Sequence, residues 1–174
     1  MKIGDRMKIP PVLQVLFRTA PLPLVRQAAQ LAYVKVVGRH PRLFERLGAH
    51  AGKLFAFAPA DLPFEFAIRP AEGRVGIARP GRILRSDVKI AGPIVLLLAL
   101  AEGRADGDAE FFGRQLTIEG DMEAVLALRN ALEDCRIDFA EDLAPARGPL
   151  RQPVSAGLSK LRELVLPRKD ATWN

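Results

Sequence analysis

The stretch GPIVLLLALAEG, from Gly92 to Gly103, constrains this chain more than any other. From Pro93 to Ala101 no side chain ionises or offers a side-chain hydrogen bond. A helix needs roughly 20 mostly apolar residues to span a bilayer, and this run is about half that before Glu102, Gly103 and Arg104 end it. The N-terminal region carries no compact apolar run followed by a small-residue cleavage site. The expectation is therefore a soluble, cytoplasmic chain whose apolar run is buried in protein or lines a cavity.

Periodicity alone does not separate a helix from a buried strand in so short a run. The preponderance of Leu and Ala, with Pro93 at the start and Gly103 at the stop, predicts a helix of about ten residues, apolar on nearly every side. Around it the period is two. KLFAFA alternates; in FEFAIRP, Phe64, Phe66 and Ile68 point one way while Glu65 and Arg69 do not. GRVGIA alternates through Val75 and Ile77, and SDVKIA places Val88 and Ile90 inward. ADGDAEFFG reads as a turn entering a strand, and RQLTIEGD as a strand with Leu116 and Ile118 inward. Asp121 caps a helix with the stripe Met122, Val125, Leu126, the stem of Arg129, and Leu132. Short alternating strands between Gly/Pro turns predict an antiparallel sheet with one wet face.

The flanks differ in charge. Residues 1–52 hold nine Lys or Arg against two acids (+7), residues 53–144 hold 11 against 16 (−5), and residues 145–174 hold six against two (+4). Three regions follow: a helical extension over 1–39, a central domain over 40–143, and a linker with a basic amphipathic segment over 144–174. In the first, Leu13, Leu16 and Phe17 share one side of a short helix broken by Pro21 and Pro23. A longer helix over 24–38 carries the stripe Leu24, Ala28, Leu31 and Ala32, and HPRLFERLG forms another on Leu43, Phe44 and Leu47. Basic flanks suggest anionic partners, either lipid headgroups or nucleic acid. Few aromatics interrupt the basic segments, which argues against a single-strand binder, and no nucleic-acid partner is expected. Arg26, Lys35 and Arg39, with Lys160, Arg162 and Trp173, would suit an anionic membrane surface at about 1 kcal/mol per cation. The competing reading packs the same helices onto the domain or onto a second copy in a homodimer.

Catalytic chemistry finds little support. The two histidines, His40 and His50, flank a short helix, and Cys135 sits at a helix end beside Arg136 with no histidine near it in sequence. DGDAE opens like a calcium loop, but its sixth position is Phe111 and its twelfth Thr117, so the required glycine and bidentate glutamate are missing. The Arg79–Arg82 run is a turn, with no phosphate-cradling glycine loop. No catalytic residue, metal site or cofactor is expected.

The order of DLPFEFAIRP, a hairpin, SDVKIAG, a buried helix, an acidic turn and GRQLTIEGDMEAVLALRNALED resembles the sterol carrier protein type 2 domain. That resemblance covers about residues 40–135, with LTIEGD and its following helix the most specific part. With the PP and APLPL segments included, the whole chain resembles the bacterial accessory factors of ubiquinone biosynthesis. The resemblance implies an α+β fold: a five-stranded, mostly antiparallel sheet with helices on one face, a helical N-terminal extension and a basic C-terminal tail. It implies a non-catalytic lipid-binding module whose cavity, between sheet and helices, holds an isoprenoid quinone precursor or a phospholipid. It also implies partners among other ubiquinone biosynthesis proteins and a peripheral position at the inner membrane.

The residues agree in part. A helix apolar all round needs cover on every side, because burying each Leu, Ile or Val is worth roughly 1.5–3 kcal/mol. N-terminal helices, a second subunit or a bound chain would each supply it. The expected lining is Phe55, Phe57, Phe64, Phe66, Ile68, Val88, Ile90, Leu97, Leu98, Phe111, Phe112, Leu116 and Ile118. A scaffold module with a closed cavity is the alternative function.

Overall fold

A computed structural model describes residues 18–83, 85–103 and 115–143. The first element is helix α1 (Leu22–Arg39), entered through Pro21 and Pro23, whose fixed φ suits a helical first turn. Helix α2 (Arg42–Leu47) follows a break at His40 and Pro41, and a 3₁₀ turn over Gly48–Gly52 leads into the sheet. Strands β1 (Phe55–Pro59), β2 (Glu65–Arg69), β3 (Arg74–Ala78) and β4 (Val88–Gly92) come next. Helix α3 (Ile94–Ala101) is the apolar run, strand β5 (Thr117–Gly120) follows, and helices α4 (Met122–Cys135) and α5 (Phe139–Leu143) close the described part. No helix among the described residues is long and apolar enough to cross a membrane.

The sheet order is β3-β2-β1-β4-β5. All neighbours are antiparallel except the central β1–β4 pair, which is parallel, with Phe55 opposite Val88 and Phe57 opposite Ile90. Such a pairing needs a crossover, and the β2–β3 hairpin lies within the connection between these strands. Register places Phe55, Ile68, Val75 and Val88 in one row, and Phe57, Phe66, Ile77, Ile90 and Ile118 in the next, all on one face. The other face carries Ala56, Ala67, Gly76 and Ala91 together with Glu65, Arg69, Arg74 and Lys89. This is the α+β sheet expected from the sequence, and the helices gather on its large-residue face.

Two apolar clusters fill the space between that face and the helices. One joins Phe55, Val88, Ile90 and Leu97 to Leu128, Ala131 and Leu132 of α4 and to Leu43 and Leu47 of α2. The other joins Leu62, Phe64, Val75 and Ile77 to Leu22, Val25, Ala29 and Tyr33 of α1. Ile94, at the start of α3, packs against both.

Two expected helix faces are corrected. Helix α1 turns Val25, Ala29, Tyr33 and Val36 inward, and leaves Leu24 60 % and Leu31 72 % exposed. On α4 the buried row is Ala124, Leu128, Ala131 and Leu132, while Met122 and Leu126 stand in solvent. Alanines at the contact let a helix lie close to the sheet, and a stripe chosen on residue size overlooks them. Ile118 shares the inner face with Ile90, yet β5 is an edge strand and leaves Ile118 38 % exposed.

Candidate lipid-binding site

The expected lining divides into three groups. Phe55, Val88, Ile90 and Leu97 are buried in the first cluster, and Phe64 in the second. Phe57 and Leu116 lie partly buried against the first, and Phe66 and Ile68 against the second. Leu98 points out of α3 at 42 % exposure, and Ile118 is open at the edge. Phe111 and Phe112 lie outside the described residues. The inner face is thus continuous in register but split in packing, one cluster gathering α2, α3, α4 and the C-terminal part of α1, the other the N-terminal part of α1. Phe64 and Phe66 meet edge to face, with centroids 5.4 Å apart and an 87° interplanar angle, the arrangement that the ring quadrupole favours.

Polar groups border this interior that size and periodicity did not reveal. Asp61, in the turn after β1, accepts a 2.9 Å hydrogen bond from the Ile94 amide and so caps α3 from a distance. Its Oδ2 is buried without a hydrogen-bond partner among the described residues, and so is the Tyr33 hydroxyl. Burial raises the Tyr33 pKa above that of an ordinary phenol, so the group stays a neutral donor and acceptor. A lone tyrosine among the apolar residues of α1, and an aspartate in the turn ADLP, were the available signals.

The cations expected to face a membrane have other work. Lys35 Nζ donates to the Leu143 carbonyl at 2.8 Å, and Arg39 Nη1 donates to the Glu141 carbonyl at 2.8 Å, both at the C-terminal end of α5. Free carbonyls at a helix C-terminus attract positive charge, so these bonds hold α5 against α1. Arg39 also reaches the buried Asp142 at 3.3 Å, and His40 Nε2 lies 2.8 Å from its other oxygen. Arg26 lines a groove between α1 and β3. Lys160, Arg162 and Trp173 lie outside the described residues.

His40 is occupied by Asp142, and burial followed by the neighbouring Asp134 pushes the Cys135 thiol above its usual pKa, against an opposing effect of Arg46. A thiol held protonated is a weak nucleophile. Both residues border a cleft of ≈ 260 Å³ together with Arg39, Arg42, Arg46 and Asp134. The groove beside α1 is larger, ≈ 1020 Å³, and runs from Arg26, Gln27, Gln30 and Leu31 across Val75 and Gly76 to Ala67 and Leu54. None of the expected lining residues borders either space.

A comparison with protein families matches residues 35–133 to the SCP-2 sterol transfer family. No curated protein sequence matches the chain. Among solved structures, one described as a UbiJ-SCP2 ubiquinone synthesis protein aligns at 18 % identity and a TM-score of 0.53, covering 68 % of this chain and 98 % of its own. The sterol carrier protein 2 of Yarrowia lipolytica aligns at 14 % identity and a TM-score of 0.44, covering 76 % of this chain and 98 % of its own. The sterol carrier protein domain 2 of Helicoverpa armigera aligns at 16 % and 0.44, covering 64 % of this chain and 89 % of its own.

Proposed function

This chain belongs to the SCP-2 sterol transfer family, and from that premise we propose that it is a non-catalytic lipid-binding accessory factor of ubiquinone biosynthesis. The observation that carries the lipid reading is the divided inner face: one apolar face of side chains packed in two clusters, which share helix α1 but of their residues only Ile94. A chain lying along the seam would cover Phe57, Phe66, Ile68, Leu98 and Leu116, which the protein itself covers only in part, at about 0.8 kcal/mol per methylene-sized group. Phe55, Val88, Ile90 and Leu97 form the wall behind it. The buried Tyr33 hydroxyl and the free oxygen of Asp61 offer a hydrogen-bonding end for a ring or headgroup.

The guest is an isoprenoid quinone precursor or a phospholipid, and the mechanism is sequestration. The apolar tail is hidden from water while the polar end stays within reach of partner enzymes. The sequence resemblance to the accessory factor UbiT, of the oxygen-independent route, and the fold shared with a UbiJ-SCP2 ubiquinone synthesis protein support that setting. The protein would work at the inner membrane surface, through its basic segments.

A second reading has its own observation. Phe55, Val88 and Ile90 are each at or below 1 % exposure, so the protein fills that part of its interior. This favours a scaffold with a closed cavity. Organic extraction and mass spectrometry of protein purified from its own host separate the two. Near-stoichiometric prenyl or acyl lipid supports the carrier, and empty protein supports the scaffold. Leu98→Arg, whose cation can reach water, should fold normally and lower the lipid recovered; unchanged recovery would remove Leu98 from the site.

A further inference from the structure

We infer that the outer face of the sheet, at the β2–β3 hairpin, carries a second binding site, which takes a single-chain amphiphile with an oxyanion head. The site is separate from the seam between sheet and helices, and it does not depend on what fills that seam.

The first observation is a cross-strand pair. Arg69 and Arg74 stand directly opposite each other in the β2–β3 register, and therefore on the same face. Like charges in that relation repel, and sheets ordinarily avoid them. Arg26 of α1 borders the same groove, so three cations line it with one acid, Glu72, while Asp87 acts on Arg69 from beside it. Glu72 is taken by Arg69. Among the described residues the side chains of Arg26 and Arg74 make no hydrogen bond or ion pair, and the buried Nε of Arg69 has no partner either. A carboxylate or phosphate placed between them would relieve the repulsion and meet donors whose planar fork suits two-oxygen recognition.

The second observation is the floor. The next register pair on this face is Ala67 and Gly76, so beyond the arginines the sheet presents a methyl group and bare backbone. Leu31 and Leu54 border the same space. At ≈ 1020 Å³ the groove is at the upper end of small-ligand sites. Charge at one end and an apolar floor beyond it fit an amphiphile with its head on Arg26, Arg69 and Arg74 and its chain over Ala67 and Gly76. An extended peptide is a poorer fit, because β-augmentation would need the free edge of β3. Gln30 occupies that edge, donating to Gly73 O at 2.9 Å and accepting from Val75 N at 2.8 Å.

The test uses the full-length protein as purified, titrated with laurate, dodecyl phosphate and dodecanol and followed by calorimetry and amide chemical shifts. Two variants spare the fold. Arg26→Gln/Arg74→Gln removes exposed cations. Gly76→Val fills the floor, since a Cβ there would meet Ala67 Cβ at 3.5 Å and Ala67 O at 3.6 Å, ordinary contacts. The expected result is binding of an anionic probe with shifts at residues 67 and 73–76, weakened at least tenfold by the arginine pair and by Gly76→Val. Dodecanol should bind more weakly and change less than twofold in the arginine variant. Laurate tighter than dodecyl phosphate assigns a carboxylate head, and the reverse a phosphate. Anionic and neutral probes binding equally, or affinity untouched by both variants, would overturn the site. Lipid recovered from native material reports separately on the seam: its absence while laurate still binds sinks the carrier reading alone, and its presence with charge-insensitive laurate binding sinks this one alone.

Discussion

Replacing Gln30 by alanine should destabilise the protein more than any other change of one uncharged polar side chain on α1. Its amide makes two hydrogen bonds to the β3 backbone, donating to Gly73 O and accepting from Val75 N, both in a partly buried setting. It acts as one residue of an extra strand and closes an edge that would otherwise be open. Each such bond contributes about 0.5–1.5 kcal/mol net, so the loss should be about 1–3 kcal/mol. With a urea slope of about 2 kcal/mol/M, a 2 kcal/mol loss lowers the unfolding midpoint by about 1 M. Gln30→Glu sharpens the test. At neutral pH it keeps an acceptor for Val75 N but sets a carboxylate against the Gly73 carbonyl, so it should be no more stable than the alanine variant. Below about pH 4 the protonated carboxyl again offers one donor and one acceptor, and stability should partly return. Urea titrations followed by circular dichroism at pH 7 and pH 3.5, each against wild type, read both effects. A Gln30→Ala midpoint unchanged from wild type, or Gln30→Glu matching wild type at pH 7, would refute the edge-closing role.

Adjacent positions on α3 should separate sharply in the same assay. Leu97→Ala should cost about 2–5 kcal/mol for a buried leucine, whereas Leu98→Ala, partly open to solvent, should cost about 1 kcal/mol or less. Asp121 caps α4 by accepting from the Ala124 amide at 3.0 Å, and its bond to Lys53, then that amide, lowers its pKa to about 2. A depressed carboxylate pKa stabilises the fold above the unfolded value near 4 and loses that contribution as pH falls through about 2. Asp121→Asn should therefore flatten the acid limb of the stability profile between pH 4 and 2, and an unaltered limb would exclude Asp121 as its source. Gly120→Ala should disrupt the β4–β5 pair: its φ is +101°, and an added Cβ would lie 2.1 Å from the Asp87 carbonyl oxygen. Loss of amide protection at Val88–Gly92 by hydrogen exchange is the readout, and full protection would contradict the geometry.

Strand alternation was legible because a sheet with one packed face imposes a strict period of two on its residues. Phe64, Phe66 and Ile68 against Glu65 and Arg69 fixed both the strand and its inward face, and the buried run was a helix as expected, starting just after Pro93. Helix faces were harder to read. In α1 and α4 apolar residues occur on most sides, so choosing by size selected Leu24, Leu31, Met122 and Leu126. The structure instead turns Ala29 inward and buries Ala124 and Ala131, where a small side chain sets the distance between helix and sheet. The edge position of β5, which leaves the inward-facing Ile118 38 % exposed, depends on strand order, a long-range property that no local pattern encodes. Lys35 and Arg39 read as surface charge because their acceptors, the last carbonyls of α5, lie over 100 residues away in sequence.

The same limits decide what the sequence could say of the site. Its inner wall followed from alternation, but Tyr33, Asp61 and Gln30 act through single long-range hydrogen bonds or through unpaired atoms. The Arg69–Arg74 opposition was invisible until the hairpin register was known. The hairpin reverses through Pro70–Glu72 and Gly73, and a shift of one residue would carry Val75 to the outer face and Arg74 to the inner. Burial of Val75 and Ile77 beneath α1 therefore holds Arg74 opposite Arg69, because the register that stabilises the inner cluster also imposes the outer repulsion. The cost on one face is thus tied to the gain on the other. It follows that Arg74→Glu, which turns repulsion into attraction while sparing Val75, should stabilise the isolated protein and abolish its binding of anionic amphiphiles.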